Sequence, residues 1–305
     1  MINKINIDET HQLAITNFNT GKREEAERLF REVLKTNPSH FDANHYLAIV
    51  LVNLGRLDEA VILFKKTLEL KPDSDVFQNF ADTLIQLKKF EEAEINYRKV
   101  LEFNPDNIDI QYNLGNTLKI LNRLDEAEVV YKKTIDLKPD YFNAHHNLAI
   151  TLNSLNKLDE SLKYWKIAKT LKPDADFLLG TILYLKMQLN IWDELQSELQ
   201  ELTKKINNGE KFINPFPTLS LIDDPELHRK AAKIYLNNKT PKSNLFPKIS
   251  KYHSHEKIKI GYFSTDFNNH PVGKLTAELY ELHDRKKFEI HAFSFGLDKK
   301  DETNT

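Results

Sequence analysis

Between residues 7 and 174 the apolar positions return every three or four residues, in short segments that come in pairs, and the pairs themselves repeat. Prolines mark the register: Pro38, Pro72, Pro105, Pro139 and Pro173 stand 34, 33, 34 and 34 residues apart. Small residues keep step in each first segment (Ala14, Ala48, Ala81, Gly115, Ala149) and in each second segment (Ala26, Ala60, Ala93, Ala127, Ser161). An aromatic also recurs in each second segment, at Phe30, Phe64, Tyr97, Tyr131 and Trp165. The 33-residue step appears in every series, which places one missing residue in the turn after Pro72. Such a period predicts a solenoid of stacked helix pairs, its concave face built from the first helix of each pair. The small residues let two backbones approach, the aromatics fill the space between successive pairs, and each proline stops a helix.

After Asp174 the register degrades. The run ADFLLGTILYLKMQLNIWDELQSELQELTKKINNG still reads as two helices, with Gly180 near the small position, and is expected to cap the array. KFINPFPTLSLIDDPELHRKAAKIYLNN follows, as a proline-rich turn, an Asp-Asp-Pro helix start near Pro225 and one more amphipathic helix. Residues 175–238 are thus an atypical capping repeat with connecting helices, and the polar, proline-containing residues 239–256 a linker. The composition then changes, to runs of β-branched and aromatic residues. KIKIGYFS (257–264) and KFEIHAFSFG (287–296) read as strands and HPVGKLTAELYELHD (270–284) as a helix between them, which makes one right-handed βαβ unit with parallel strands. A single unit cannot bury both faces of its strands, so residues 257–305 are expected to open a larger α/β domain that the sequence truncates.

Composition narrows the function classes. A chain of 305 residues with 40% hydrophobic and 29% charged residues, 8 Gly and 11 Pro is neither collagen-like nor wholly disordered. A net charge of -2 supplies no global basic field, so neither nucleic acid nor a membrane surface is an expected partner. Cysteine is absent, which excludes disulfides, thiolate metal sites and cysteine nucleophiles and fits a reducing compartment. With no apolar leader in MINKINIDETHQLAI and no run approaching the roughly 18 apolar residues of a membrane span, a cytoplasmic location is the expectation. No metal site is expected, because His145 and His146 adjoin on one helix and point in different directions, while His253 and His255 lie in the linker without HExxH spacing. Neither a GxSxG nucleophile elbow nor a GxGxxG phosphate loop occurs.

Two sets of residues could carry function. His270 falls just beyond the end of the first strand, where open α/β sheets place ligand sites, and Pro271 suits the first turn of the following helix. A neutral imidazole there could take a proton from an attacking hydroxyl or orient it; the same histidine could instead cap the helix. Asp266 and Asn269 flank the loop and could order His270 or cap the helix, and Gly273 permits close backbone approach. On the repeats, Asn79, Asn113 and Asn147 share one position, two residues before the small residue of each first helix, and should form a ladder on the concave face. An amide offers both a donor and an acceptor to an extended peptide backbone; the alternative is that these are solvated amides of the helix surface. The ladder is short, since Gln12 and Tyr46 stand at that position in the first two repeats.

The 34-residue pattern resembles the tetratricopeptide repeat over residues 7 to about 174. Together with PFPTLSLIDDPELHRKAAKIY and KIKIGYFSTDFNNHPVGKLTAELYELHDRKKFEIHAFSFG, the chain resembles the start of the O-linked N-acetylglucosaminyltransferase family in its bacterial, SPINDLY-like branch, with GYFSTDFNNHPVG the most specific segment. The resemblance implies a two-lobed GT-B glycosyltransferase that moves N-acetylglucosamine from UDP-GlcNAc, a donor substrate rather than a cofactor, to Ser or Thr hydroxyls of proteins without a metal. It implies that the repeats present acceptor proteins or peptides through an asparagine ladder, here Asn79, Asn113 and Asn147, and that the His of the NHP motif, His270, lines the active site. The family often has an aromatic or a second His where Lys274 stands, so no role passes to Lys274. The lobe that holds most of the nucleotide lies outside these 305 residues, which leaves this chain expected to be inactive alone. The alternative is a tetratricopeptide adaptor that binds peptides without catalysis.

Overall fold

The computed structural model describes residues 6–239, 257–264 and 282–294. The chain divides into two units, Met1–Pro241 and Lys242–Thr305. In the first, ten helices form five antiparallel pairs: α1 (Ile7–Asn19) with α2 (Arg23–Thr36), α3 (Phe41–Asn53) with α4 (Leu57–Leu70), α5 (Ser74–Gln86) with α6 (Phe90–Phe103), α7 (Ile108–Ile120) with α8 (Leu124–Leu137) and α9 (Phe142–Ser154) with α10 (Leu158–Leu171). The residue before each proline is extended, with ψ between 84° and 128° at Asn37, Lys71, Asn104, Lys138 and Lys172, as the proline ring requires. The 33-residue step is confirmed as a shorter turn after Pro72: residues 71–73 connect α4 to α5, where four residues make the equivalent connection elsewhere.

Close packing inside each pair sets the geometry. The ten small residues of the two series are buried, and a Cβ added to Gly115 would lie 2.6 Å from Cε1 of Tyr131. Phe30, Phe64 and Tyr131 are fully enclosed; Tyr97 and Trp165 are nearly so. Within a pair the helices reverse through a residue at positive φ, Gly21, Gly55, Lys88, Asn122 and Asn156, again in the 34-residue register. First helices approach one another directly (α1 to α3, α3 to α5, α7 to α9), and no two second helices come as close, so the stack curves with the first helices on its inner side.

The outer ends of the pairs are tied by charges that repeat with the fold. Glu27 accepts hydrogen bonds from Arg31 at 2.9 Å and from Arg56, in the next pair, at 2.7 Å. Glu94 likewise joins Arg98 to Arg123, and Glu128 joins Lys132 to Lys157. Burial works to raise the Glu27 and Glu128 carboxyls, but hydrogen bonds from the basic partners outweigh it and leave both below their ordinary value. The joint between the second and third pairs lacks this bridge: Val61 occupies the acidic position, and one long Lys65–Glu92 contact of 3.9 Å remains.

Beyond the fifth pair come two helices, α11 (Leu178–Gln188) and α12 (Leu195–Asn207), where the sequence reads two, and Asn190 continues the positive-φ register of the turns. Gly180 does not take the small position between them. Leu183 stands there, fully buried, while Gly180 meets the segment ahead of the next helix. The N–H of Gly180 donates to the Phe212 carbonyl at 2.8 Å, and an added Cβ would lie 2.8 Å from Cα of Ile213. The proline-rich turn is itself helical over α13 (Pro215–Leu221), because Pro215 at the first position needs no N–H partner. The last helix, α14 (Pro225–Lys239), starts on Asp224, which accepts from the N–H groups of Glu226 and Leu227, and it takes in Lys239, the first residue of the expected linker. Residues 240–256 lie outside the described residues.

In the second unit β1 (Ile258–Ser264) and β2 (Phe288–Ser294) pair in parallel, from Ile258 opposite Phe288 to Ser264 opposite Ser294. The parallel strands match the βαβ expectation; the helix assigned to 270–284 lies mostly outside the described residues. Its last three residues are not helical, because Asp284 accepts from the Lys286 N–H and forms the turn into β2. The Tyr262 hydroxyl and His283 Nε2 are 2.9 Å apart beside this pair.

Gly180→Ala tests the close approach on which the cap depends. The substitution improves helix propensity by about 1 kcal/mol but drives a methyl into the Ile213 backbone, so a net loss of about 2 kcal/mol is expected. Hydrogen exchange should show the loss across residues 178–239, with α1–α6 keeping their protection.

Candidate functional site

The inner face carries the three asparagines, and the structure gives them different surroundings. The Asn79 amide nitrogen lies 3.0 Å from His45 Nε2 of the preceding pair. The Asn147 amide nitrogen donates to the Tyr112 hydroxyl at 3.0 Å and to Asn116 Oδ1 at 2.7 Å, both on the preceding first helix. Asn113 has no such tie, since Gln78 stands where His45 and Tyr112 stand, and its half-buried amide has no side-chain hydrogen bond. At the first two rungs the series ends for packing reasons: Gln12 is exposed, and Tyr46 stacks on Phe30 with ring centroids 5.9 Å apart.

A second polar series runs beside the first. Tyr97 donates its hydroxyl proton to Asp82 at 2.6 Å, and Tyr131 donates to Asn116 at 2.7 Å, each across fifteen residues within one helix pair. Burial pushes the Asp82 carboxyl up, partly offset by the Tyr97 hydroxyl, and burial with the neighbouring Asp82 pushes the Tyr97 phenol far above its ordinary range. Asp82, Ile85, Tyr97, Asn113, Asn116 and Ile120 line a hollow of about 250 Å³ between the third and fourth pairs. Its chemistry is a free amide, a half-buried carboxylate and two aliphatic side chains, which suits an extended polypeptide whose backbone needs donors and acceptors and whose side chains need apolar contact. The sequence carries a signal for this pairing: tyrosine on the second helix accompanies Asp82 or Asn116, whereas Phe30 and Phe64 accompany Ile15 and Ile49.

His145 and His146 do diverge. His145 is buried, with Nε2 2.8 Å from the Pro139 carbonyl oxygen. His146 turns to the inner face, where burial holds its imidazole below the ordinary pKa. His270, with Asp266, Asn269, Gly273 and Lys274, lies outside the described residues, as do His253 and His255. Among the described residues no three His, Asp or Glu side chains come together as a metal site, and no helix is long and apolar enough to cross a membrane.

Comparison with known proteins finds two kinds of match along the chain. Descriptions of the tetratricopeptide repeat match residues 11–75, 81–121 and 108–141, and glycosyl transferase family 41 matches residues 231–305. Among solved structures, the chain is similar to YrrB, described as a TPR protein with an unusual peptide-binding site, at 21% identity and a TM-score of 0.53, over 56% of this chain and 89% of that one. It is similar to MamA from Desulfovibrio magneticus RS-1 at 20% identity and a TM-score of 0.51, over 56% and 97%, and to MamA AMB-1 at 25% identity and a TM-score of 0.53, over 59% and 99%. No curated protein matches the chain.

The Asp82 environment makes a pH prediction. A carboxyl whose folded pKa is raised above the unfolded value destabilises the fold increasingly as pH climbs from the unfolded pKa through the folded one, and has no such effect below both. Asp82→Asn keeps an acceptor for Tyr97, as Asn116 does for Tyr131, and removes the buried charge. Its Tm should exceed that of the parent by about 2 °C at pH 7, with the difference vanishing below pH of about 3.5; an equal difference at both pH values would contradict the assignment. The chain therefore joins an array of tetratricopeptide repeats to a segment, from residue 231 onward, that matches glycosyl transferase family 41.

Proposed function

We propose that the repeats hold an acceptor polypeptide for a protein O-GlcNAc transferase of glycosyl transferase family 41, with UDP-GlcNAc as donor and Ser or Thr hydroxyls as acceptors. The observation that carries this reading is the direct succession of a polar, amide-bearing inner face and the family 41 match within one chain. In this reading Asn113 is the rung that meets the peptide backbone, because its amide is free in both directions, while Asn79 and Asn147 are oriented by the pair before them. His270 would receive or orient the acceptor hydroxyl proton during attack on the sugar C1, a task that a neutral imidazole performs near pH 7 without a metal or cofactor. A cytoplasmic setting suits such an enzyme.

The peptide-binding side of the reading also supports an adaptor without catalysis, since the repeat fold is shared with a protein described as having a peptide-binding site. Two measurements separate the readings. Transfer of labelled GlcNAc to a mixed protein extract, by a protein carrying this chain with a nucleotide-binding lobe, should fall at least about 100-fold with His270→Ala; activity near that of the parent would remove His270 from the mechanism. Asn113→Ala should weaken capture of acceptor polypeptides about tenfold, measured by titration, and weaken it more than Asn79→Ala. No measurable transfer, together with undiminished peptide capture, would favour the adaptor.

A further inference from the structure

The groove continues past Asn147 and ends in a pocket of a different make. His146, Ile150, Asn153 and Ser154 on α9 are the 34-residue equivalents of Tyr112, Asn116, Lys119 and Ile120, so they stand at the same inner-face positions one repeat further on. Where a sixth regular repeat would leave the groove open, the atypical elements close it: Phe177 and Thr181 at the start of α11, Asn214 ahead of α13, and Tyr235 on α14. The result is a hollow of about 420 Å³ walled by aromatic rings and rimmed by amide and hydroxyl groups and the Asp176 carboxylate. Tyr235 lies inside the stretch that matches glycosyl transferase family 41, so the pocket is built jointly by the last repeat and the beginning of that segment.

Three observations mark it as a site rather than a gap. Trp165 takes the aromatic position that Tyr97 and Tyr131 take in the third and fourth pairs. Those tyrosines give their protons to Asp82 and Asn116, whereas Ile150 stands opposite Trp165, and the indole N–H, on a side chain only 5% exposed, has no acceptor. Buried donors left without a partner are uncommon and destabilising. The His146 ring stands edge-on to the indole, with centroids 4.9 Å apart, and its side chain is held by a long contact of 3.4 Å to Asn147 Oδ1. Phe177 meanwhile holds a left-handed backbone, φ 63°, that a residue with a side chain rarely adopts, and this sets its ring edge-on to Tyr235 at 5.7 Å.

We infer that this pocket is the terminal subsite of the groove and takes one aromatic side chain of the bound polypeptide, between the rings of Phe177, Tyr235 and Trp165. An adjoining backbone carbonyl accepts from the Trp165 indole once the His146 ring moves aside. The occupant is a polypeptide because the α9 positions that open into the pocket continue those beside Asn113 and Asn147, and an aromatic side chain because ring edges and faces line the walls. The inference rests on the acceptor-holding role of the groove.

Panning a displayed library of random peptides against the full chain tests both, provided the peptides are long enough to reach from Asn113 to Tyr235. The parent chain should enrich an aromatic residue at one fixed position. Tyr235→Ala should lose that preference while still enriching peptides, and Asn113→Ala should weaken all of them. Trp165→Phe should bind a selected aromatic peptide about tenfold more weakly and yet unfold at a Tm no lower than the parent, because it deletes a donor that has no partner in the free protein; a purely structural Trp165 would lower both. Peptides enriched without any aromatic preference, or a preference that survives both Tyr235→Ala and Trp165→Phe, would overturn the subsite and leave the groove. No enrichment by the parent chain would overturn the groove and the subsite together.

Discussion

Each repeat depends on one contact, the seat of an aromatic ring from the second helix on a small residue of the first. The ring of Tyr131 leaves no space for a methyl at Gly115, and the other four pairs use alanine at that point, fully buried. Such an approach brings two helical backbones close enough for continuous packing, which a short isolated helix lacks and without which it is marginal in water. It also decides what reaches the inner face. A tyrosine seated this way extends its hydroxyl past the small residue to the next turn of the first helix, where Asp82 or Asn116 receives it. The packing that holds the array together therefore also supplies the polar floor of the groove.

Pairs are joined by different means on their two sides. On the outer side acidic residues at a fixed position bridge consecutive second helices in three of the four joints, and these carboxylates are among the least exposed charges of the array. Each bridge is two-sided and partly sheltered, which distinguishes it from the isolated surface ion pairs that add little. The joint between the second and third pairs has neither an acid at Val61 nor a full-length turn after Pro72, but on the inner side the His45–Asn79 hydrogen bond crosses it. One amide of the ladder thus serves the stack before it can serve a ligand.

The end of the array inverts the logic of its middle. The third and fourth pairs satisfy their ring hydroxyls internally, on Asp82 and Asn116, and leave a groove of modest depth; at the fifth pair the Trp165 donor is unmet, and the capping elements bring Phe177, Asn214 and Tyr235 around the last inner-face positions. The close approach of Gly180 to Ile213 makes this possible, because it lets the strand-like segment before α13 lie directly on α11. A repeat that follows the register cannot do this, since its small residue faces its own partner helix.

The five helix pairs, their turns and the change to parallel strands after residue 257 were legible in the sequence, because each rests on local rules: helical spacing, proline at the turns, small and aromatic residues in fixed register, and β-branched and aromatic runs in the strands. The inner-face position of Asn79, Asn113 and Asn147 followed from the same register. Which of the three is free did not, because that turns on the residue facing each from the previous pair: His45, Gln78 or Tyr112. Gly180 misled the reading for a similar reason, its smallness serving a segment more than thirty residues away rather than the adjacent helix. The pocket around Trp165 was invisible in the sequence, since its walls come from α9, α10, α11, α14 and the residue before α13. Periodicity encodes what a residue does within its own helix pair; the partner across a joint is decided only when the pairs stack.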